Sequence, residues 1–257
     1  MVGNARFQDQ VALITGAGNG IGLATASMMG REGATVLLVE RDGAVLQRAL
    51  AGLQAEGVRA EGWQADALAE DEVAAVVRAA HQGHGRVDIL VNGVGGSTLG
   101  GQSTAPLEAM GLAEFEALLR FNLSGTFLFC RAVIPAMKQR RQGRIVNLAS
   151  IAARGDAFSN AAYSAAKAGV VALTRKLSLE LAPFGVLCNA VAPGLTLTPR
   201  MAAAMAGFAA EEVERRAAQV PLGRFSTALD QARVVCFLAS RDADFMTGST
   251  LFVTGGA

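Results

Sequence analysis

The stretch Val11-Ala12-Leu13-Ile14-Thr15-Gly16-Ala17-Gly18-Asn19-Gly20-Ile21-Gly22 decides the fold of this chain. Its first five residues predict a buried strand, and the Ala- and Met-rich stretch Gly20–Arg31 predicts the helix that follows. The glycines between them permit a tight turn and the close approach of the backbone to a pyrophosphate, whose charge then lies at the helix N-terminus. Many turns are rich in glycine, so the position between an apolar strand and a helix is what predicts a dinucleotide site here.

The same alternation of strand and helix patterns continues along the 257 residues. Strands are predicted at Val11–Thr15, Val36–Glu40, Ile89–Asn92, Arg144–Leu148, Val186–Ala192 and Thr250–Thr254, with a weaker strand near Arg59–Gln64. Helices are predicted at Gly20–Arg31, Gly43–Glu56, Ala69–His81, Leu112–Gln139, Ala161–Pro183 and Leu229–Ser240. Alternation at about 30 residues a unit predicts a parallel sheet with helices on both faces. We therefore expect an α/β fold, a single doubly wound Rossmann-type domain over residues 1–257 with about seven strands.

Acidic residues at the strand ends bear on the nucleotide that this turn would bind. Glu40 ends the second predicted strand, where a carboxylate can accept hydrogen bonds from both ribose hydroxyls of the adenosine half. The same charge would repel a 2′-phosphate, which favours NAD, but Arg41 follows and could neutralise that phosphate, which leaves NADP open. Asp66, after the third strand, could hold the adenine amino group or could cap the next helix.

Tyr163 is the only tyrosine of the chain and lies four residues before Lys167. Within Ala162–Ala168, a strong helix-forming stretch, that spacing places the phenol and the ammonium on one helical face. A cation about 4 Å away contributes roughly 4 kcal/mol at an effective dielectric near 20, which lowers the phenol pKa from about 10 by about three units. The phenol would then titrate near neutrality, where a general acid/base works best. Taken alone, the pair also fits a half-buried aromatic residue beside a surface lysine.

Six motifs occur in a fixed order along the chain. They are Thr15–Gly22, Asn92-Gly93-Val94-Gly95, Asn122 in Phe121-Asn122-Leu123-Ser124-Gly125, Ser150, Tyr163-x-x-x-Lys167 and Val191-Ala192-Pro193-Gly194. In order and separation they closely resemble the motifs of the short-chain dehydrogenase/reductase family. The resemblance covers the chain from about Gln10 to Ala257, although Gly93 replaces a common second asparagine and Glu40 replaces a more frequent aspartate.

The resemblance implies a role for each matching residue. Tyr163 is implied to be the acid/base, Lys167 to lower its pKa and bind the nicotinamide ribose, and Ser150 to hydrogen-bond the substrate oxygen. Asn122 is implied to anchor a water in a proton relay from Lys167. The implied cofactor-binding residues are Gly16, Asn19, Gly20, Ile21, Gly22, Glu40, Arg41, Asp66, Ala67, Asn92, Gly93, Tyr163, Lys167, Pro193, Gly194, Thr196 and Thr198. The chemistry agrees, because hydride transfer needs a stabilised oxygen and a proton donor.

Three segments are expected to surround the substrate: residues 94–97, 151–160 and 195–220. The last is rich in Ala and Met and is predicted to be a substrate lid, with a plain surface helix as the alternative. The glycine-rich loop Gly96–Ser103, which is longer than in the family's simplest members, is also expected near the substrate. Arg154 and Arg200 could meet a carboxylate or an acyl-carrier group.

The expected activity is the NAD-dependent interconversion of a hydrophobic or alicyclic secondary alcohol and its ketone. Reduction of a 3-oxoacyl thioester with NADPH is the alternative. A non-catalytic nucleotide-sensing protein of the same fold is a different class, and it has no need of the four catalytic residues together. An enzyme that uses the same tyrosine and lysine for dehydration or epimerisation is also compatible with the sequence.

Composition limits the partners of the protein. The 23 basic and 22 acidic residues form no block of like charge, which argues against nucleic acid or an anionic membrane as the main partner. We find no run of about 18 uncharged apolar residues and no signal-like N-terminus, so a cytoplasmic location without a spanning helix is expected. The three cysteines lie far apart, and His81 and His84 fall in a glycine-rich stretch that we predict to be a loop, so no metal site is expected.

The predicted helices Leu112–Gln139 and Ala161–Pro183 carry more apolar residues than one sheet face needs. In the family that the chain resembles, helices of this kind pair between subunits, so a homotetramer is implied.

Overall fold

Short apolar runs that are buried on both faces form the inner strands of the central sheet, and its two edge strands are only partly buried. The computed structural model describes residues 5–97, 106–157 and 159–257. The strands are β1 Val11–Thr15, β2 Thr35–Glu40, β3 Arg59–Gln64, β4 Ile89–Asn92, β5 Gly143–Leu148, β6 Val186–Pro193, β7 Thr196–Leu197, β8 Ser226–Thr227 and β9 Thr250–Val253. Seven of them form one sheet in the order β3-β2-β1-β4-β5-β6-β9, with parallel pairing throughout, and β7 pairs with β8 separately.

Helices cover both faces of this sheet. They are α1 Gly20–Arg31, α2 Gly43–Ala55, α3 Glu70–His84, α4 Leu112–Leu119, α5 Gly125–Arg140, α6 Ala161–Leu181, α7 Pro199–Met205, α8 Ala210–Ala218 and α9 Ala228–Ala239. Side chains alternate along each strand, so Ile14 joins the core under α1, α2 and α9, whereas Leu13 joins the core under α3 and α5. The predicted seven-stranded α/β architecture is confirmed.

The strand order places the functional end of the sheet. The chain builds outward from β1 to β3 and then returns to add β4 on the other side of β1. Ligands of doubly wound sheets bind in the crevice at the carboxyl ends of the strands on either side of such a switch. Thr15 and Asn92, the last residues of β1 and β4, are register partners, so the two loops that follow them meet at this point.

The long helix predicted at Leu112–Gln139 has an interruption in the structure. Residues Arg120–Ser124 form a π-helical turn between α4 and α5, and Asn122 lies in the middle of it. Over Leu112–Arg140 the described chain is long and apolar enough to cross a membrane by length and composition, with a mean hydropathy of 1.3. Phe129 and Met137 of this segment are buried in the core that includes α3 and β4, and this packing accounts for its apolar composition.

The loop predicted around the histidines is wrong for His84. The helix α3 continues to His84 and ends there because Gly85 adopts a left-handed conformation with φ 73°. His84 Nε2 lies 3.3 Å from Glu61 Oε2 at the surface. Across the described ranges, no group of three or more His, Cys, Asp or Glu side chains is arranged to hold a metal ion.

Candidate active site

Two adjoining cavities lie at the carboxyl ends of the sheet strands. The first has a volume of about 330 Å³ and opens beyond β1, β2 and β3. The second has a volume of about 500 Å³ and lies beyond β5 and β6. The residues that line both cavities are Ile21, Gly93, Gly95, Leu148, Thr198 and Arg200. The two spaces therefore adjoin and form one cleft.

The glycine turn after β1 fits a dinucleotide. Gly16 and Gly20 have φ values of 63° and 56°, in the left-handed region that L side chains rarely adopt. A Cβ on Gly16 would lie 3.1 Å from the backbone of Gly93, and a Cβ on Gly22 would lie 2.4 Å from the Gly16 carbonyl oxygen. In the described part of the chain, the Asn19 side chain makes no capping hydrogen bond to α1, so the first N–H groups of the helix face the first cavity without that cap.

Glu40 closes the first cavity from the end of β2. Its carboxylate accepts hydrogen bonds from the backbone N–H groups of Arg41 at 2.9 Å, Asp42 at 3.3 Å and Gly18 at 3.3 Å. The negative charge is thus held against the glycine turn, beside Arg41, which lines the same cavity. A 2′-phosphate at this position would meet both a carboxylate and a guanidinium.

Asp66 serves a local structural purpose as well as lining the first cavity. Its Oδ1 accepts the backbone N–H of Leu68 at 2.9 Å, which shapes the turn into α3. This hydrogen bond fits the structural alternative for Asp66, while recognition of the adenine amino group stays a prediction. Ala67 lines the same wall.

All of the expected cofactor residues except Asn92 line one cavity or the other. The Asn92 side chain is buried in the core, where its Nδ2 donates to Asn147 Oδ1 at 2.9 Å. Its Oδ1 is buried without a hydrogen-bond partner among the residues that the structure describes. Asn92 thus joins β4 to β5 below the cleft, and its contact with the cofactor stays a prediction.

Lys167 lies at the floor of the second cavity and is buried. Its Nζ donates to the Leu148 carbonyl at the end of β5, at 2.8 Å. Burial lowers the pKa of this ammonium from 10.5 to about 8. The Nζ is 5.9 Å from the centroid of the Tyr163 ring, so the two side chains share one helical face as the spacing predicts.

The Tyr163 phenol and the Ser150 hydroxyl line the second cavity together. Burial raises the pKa of Tyr163, and the neighbouring Ser150 hydroxyl and the positive charge of Arg200 oppose that rise. The predicted lowering of this pKa by Lys167 is therefore wrong. Desolvation outweighs the nearby charges, and the Lys167 ammonium is directed to the Leu148 carbonyl.

Ser150 ends the segment after β5 and begins a short 3-10 turn. Its Oγ accepts the backbone N–H of Ala152 at 3.2 Å, which fixes the hydroxyl oxygen at the cavity wall. The segment after β5 thus brings Ser150 to Tyr163 and Lys167, which both lie on α6.

Asn160 positions the catalytic helix, and our sequence reasoning missed it. The side chain is 3% exposed, and its Oδ1 caps α6 by accepting the backbone N–H of Tyr163 at 2.7 Å. Its Nδ2 donates to the carbonyl of Ser97 at 3.2 Å, which ties α6 to the loop after β4. An asparagine directly before an Ala-rich helix is a standard N-cap signal that could have identified this residue.

Asn122 ties the π-helical turn to the loop after β4. Its Oδ1 accepts the N–H of Gly96 at 2.8 Å, and its Nδ2 donates to the carbonyls of Gly96 and Leu118, each at 3.0 Å. A Cβ on Gly95 would lie 2.7 Å from Asn122 Oδ1 and 2.9 Å from Lys167 Nζ. Asn122 and Lys167 therefore approach the same glycine, while the water relay between them stays a prediction.

The threonines after β6 use their hydroxyls within the loop. Thr196 Oγ1 donates to the Gly194 carbonyl at 3.0 Å and lies 2.8 Å from Ser226 Oγ. Thr198 caps α7 by accepting the N–H of Met201 at 3.2 Å. Both residues line the second cavity beside Pro193 and Gly194, and their contact with the cofactor stays a prediction.

The outer wall of the second cavity comes mainly from the segment after β6. Met201, Met205 and Phe208 contribute apolar surface, and Arg200 and Arg216 contribute charge. Phe225 lines the same cavity. Sequence reasoning singled out neither Arg216 nor Phe225, since neither residue belongs to a recognisable motif.

Some residues that were predicted to surround the substrate are not part of the described cavity lining, and others lie outside the described residues. Residues 98–103 of the predicted loop and Phe158 lie outside the described residues. Arg154 lies against the Phe252 ring, 4.1 Å from its centroid, and donates to the Ala257 carbonyl at 3.1 Å. Its side chain is not part of the described cavity lining, so the expected contact with a substrate anion is not available to it in this arrangement.

Known proteins match this chain over nearly its whole length. The model of the short chain dehydrogenase family matches residues 10–207. The 2-(S)-hydroxypropyl-CoM dehydrogenase 3 of Xanthobacter autotrophicus is 38% identical over 253 residues, which are 98% of this chain and 97% of the relative. This chain therefore belongs to the short-chain dehydrogenase/reductase family, and it is an oxidoreductase of the class that uses nicotinamide cofactors.

Solved structures agree on the fold and differ in the cofactor. A variant of actinorhodin polyketide ketoreductase with NADPH is 36% identical, covers 96% of each chain and gives a TM-score of 0.90. A 3-oxoacyl-[acyl-carrier protein] reductase from Brucella melitensis with bound NAD is 29% identical, covers 98% of this chain and 92% of its own, and gives a TM-score of 0.89. Similarity alone therefore leaves the choice between NAD and NADP open.

Proposed function

We propose that this enzyme interconverts a secondary alcohol and its ketone with NAD as the cofactor. The observation that carries the proposal is the meeting of Ser150, Tyr163 and Lys167 at the floor of a largely apolar cavity that continues into the nucleotide cleft. In the oxidative direction the alcohol gives a hydride to NAD⁺ and a proton to the enzyme, which releases it to solvent. Reduction of the ketone is the reverse.

A bound nicotinamide supplies or accepts the hydride. The chain's own residues act on the substrate oxygen. The hydroxyls of Ser150 and Tyr163 line the same cavity, and in this proposal one substrate oxygen contacts both. Ser150 orients that oxygen, and Tyr163 donates its proton to it during reduction.

The direction of the Tyr163 pKa shift bears on its protonation state. A phenol whose pKa lies above its ordinary value is protonated at neutral pH, which is the form that donates a proton during reduction. Lys167, with a pKa of about 8, is also mostly protonated at pH 7 and can hold a ribose hydroxyl. We further propose that a water held near Asn122 returns a proton to Tyr163 through Lys167.

The charge of Glu40 supports NAD over NADP. The carboxylate is fixed against the glycine turn by three backbone donors, so it has little freedom to move away from a 2′-phosphate. Repulsion between such groups at a partly exposed site costs on the order of 1 kcal/mol. Arg41 reduces this cost without removing the carboxylate.

The apolar wall supports a hydrophobic or alicyclic substrate. Met201, Met205, Phe208 and Phe225 give the second cavity adaptable apolar surface, and the segment 195–220 serves as the lid over it. Reduction of a 3-oxoacyl thioester with NADPH is the second candidate, because a 3-oxoacyl-[acyl-carrier protein] reductase and a polyketide ketoreductase are among the similar structures.

A single domain, a cytoplasmic location and a homotetramer complete the proposal. Exposed apolar side chains on α4, α5 and α6, among them Leu112, Phe127 and Leu179, support association of subunits through these helices.

The test is the substitution Tyr163→Phe, which removes the proton donor and keeps the ring. NADH-dependent ketone reduction is expected to fall about a thousandfold, because general acid catalysis contributes on that order. NADH binding, followed by fluorescence, and the melting temperature should stay close to the wild-type values.

Three results would count against the proposal. Substantial turnover by Tyr163→Phe would remove Tyr163 from the mechanism. A wild-type protein that binds NADH but reduces no ketone would favour the nucleotide-sensing class. Product formation without any net change in NADH would favour dehydration or epimerisation.

A further inference from the structure

The ionic side chains that line the second cavity in the described structure are cationic. In the part of the chain that the structure describes, its lining includes the cations Lys167, Arg200 and Arg216 and no carboxylate side chain. The whole chain is nearly neutral, with 23 basic and 22 acidic residues, so this is a local feature. A cavity that combines cationic and apolar lining is complementary to a ligand with an anionic group and an apolar body.

Arg200 lies where the two cavities meet, because it lines both of them. Its Nη1 donates to the Gly95 carbonyl at 3.2 Å, and a Cβ on Gly96 would lie 1.7 Å from the same nitrogen. The guanidinium thus packs against the backbone at Gly96, where any residue with a Cβ would clash with it. The positive charge of Arg200 reaches the reacting end of the cavity, where it opposes the rise in the Tyr163 pKa.

Arg216 approaches the same cavity from α8. Its Nε donates to Glu212 Oε1 at 2.6 Å, and its guanidinium carbon lies 4.5 Å from the Phe208 ring centroid. These contacts fix one edge and one face of the group, and a guanidinium carries five N–H donors in all, so donors remain for a ligand. The neighbouring Arg215 also binds Glu212, at 2.8 Å, but is not part of the described cavity lining.

We propose that the substrate carries an oxyanion, a carboxylate, sulfonate or phosphate, that is bound by Arg200 and Arg216. The apolar part of the substrate contacts Met201, Met205 and Phe208, which line the same cavity as the two arginines. This inference rests on the proposed function, because it names the substrate class of that same site. Arginine suits the task, since its planar group binds such oxyanions with paired, charge-assisted hydrogen bonds.

The experiment measures binding to the wild-type enzyme saturated with NAD⁺, which cannot reduce a ketone. Isothermal titration compares levulinate and 7-oxooctanoate, each with its uncharged methyl ester. At least one acid is expected to bind about tenfold more tightly than its ester, the size of one charge-assisted hydrogen bond. Arg200→Met and Arg216→Met should each remove most of that preference, and Arg215→Met, the matched control on α8, should keep it.

Three outcomes overturn the inference: acids that bind no better than their esters, acids without detectable binding, or an equal loss of the preference in Arg215→Met. Arg200 also lines the first cavity, so a cofactor phosphate is its other candidate partner. If Arg200→Met weakens NAD⁺ binding and leaves the preference for the acid intact, Arg200 serves the cofactor and the inference is wrong.

Turnover separates this inference from the proposed function. Reduction of the neutral esters by NADH without any preference for acids would reject the anion site and keep the ketoreductase activity. Preferential binding of the acids without NADH oxidation on any ketone would keep the anion site and reject the activity.

Discussion

The two ends of the cleft are built from different parts of the protein. The nucleotide end is mainly backbone: the glycine turn between β1 and α1 packs against the loop after β4, and all of β1 is buried behind it. The substrate end is mainly side chains, and its outer helices α7 and α8 contain no buried residue in the described structure. The nucleotide end is therefore part of the core. The substrate wall lies outside the core, so substitutions there should lower the free energy of unfolding by less.

The largest effect that this comparison predicts is at Gly22. A Cβ there would lie 2.4 Å from the Gly16 carbonyl and 3.0 Å from the Ala17 Cα, and both belong to a backbone that is held by buried strands. Gly22→Ala should therefore lower the free energy of unfolding by about 3 kcal/mol, as overpacking does. NADH binding should weaken by more than about a hundredfold, because the first turn of α1 must move away from the pyrophosphate position. Urea unfolding and NADH fluorescence titration measure the two losses.

Gly52 provides the matched control for that substitution. It lies inside α2, and a Cβ on it would meet nothing within 4 Å. Gly52→Ala should stabilise the protein by about 1 kcal/mol, the difference in helix propensity. If Gly22→Ala were as harmless as Gly52→Ala, the nucleotide end would not be the rigid part of the cleft.

Two phenylalanines that line the second cavity differ in burial, so they allow the core and the α7–α8 wall to be compared. Phe225 is 7% exposed and Phe208 is 42% exposed, although both line the same space. Phe225→Ala should cost about 3 kcal/mol of unfolding free energy, as buried aromatic truncations do. Phe208→Ala should cost less than about 1 kcal/mol, because it loses little besides the contact with Arg216.

Kinetics complete the phenylalanine comparison. Phe208→Ala should lower kcat/KM for apolar ketones by about tenfold while the melting temperature stays nearly constant. Equal destabilisation by the two substitutions would mean that the α7–α8 wall is as much part of the core as Phe225.

Sequence patterns predicted the nucleotide end well, because each of its features follows from a local rule. The glycines of residues 16–22 report on backbone conformation directly, and Glu40 is positioned by its place at the end of a strand. The spacing of Tyr163 and Lys167 likewise survives in the structure, because it depends only on the helix α6. Local geometry of this kind needs no knowledge of distant contacts.

The remaining features depend on contacts between distant parts of the chain. The pKa of Tyr163 has the opposite direction from the one predicted because burial, which no spacing reveals, outweighs the nearby charges. The π-helical turn at Asn122 adds one residue to a turn within an unbroken apolar pattern, which helical periodicity does not resolve. Arg216 and Phe225 reach the cavity only because α8 and the strand β8 fold back over it.

The smallest effect tests the one part of the nucleotide end that depends on a side-chain charge. Glu40→Gln keeps an oxygen that can accept the N–H of Arg41 and removes the negative charge beside the glycine turn. The ratio of kcat/KM for NADH to that for NADPH should fall by about tenfold, because the repulsion of a 2′-phosphate at a part-exposed site is on the order of 1 kcal/mol. Asp42→Asn is the control: Asp42 is the next acid along the chain, and its Oδ1 caps α2 by accepting the N–H groups of Ala44 and Val45. Asp42→Asn should leave the cofactor ratio unchanged. An unchanged or larger NADH preference in Glu40→Gln would mean that backbone shape alone discriminates between the two cofactors. Side-chain charge would then matter only at the substrate end of the cleft.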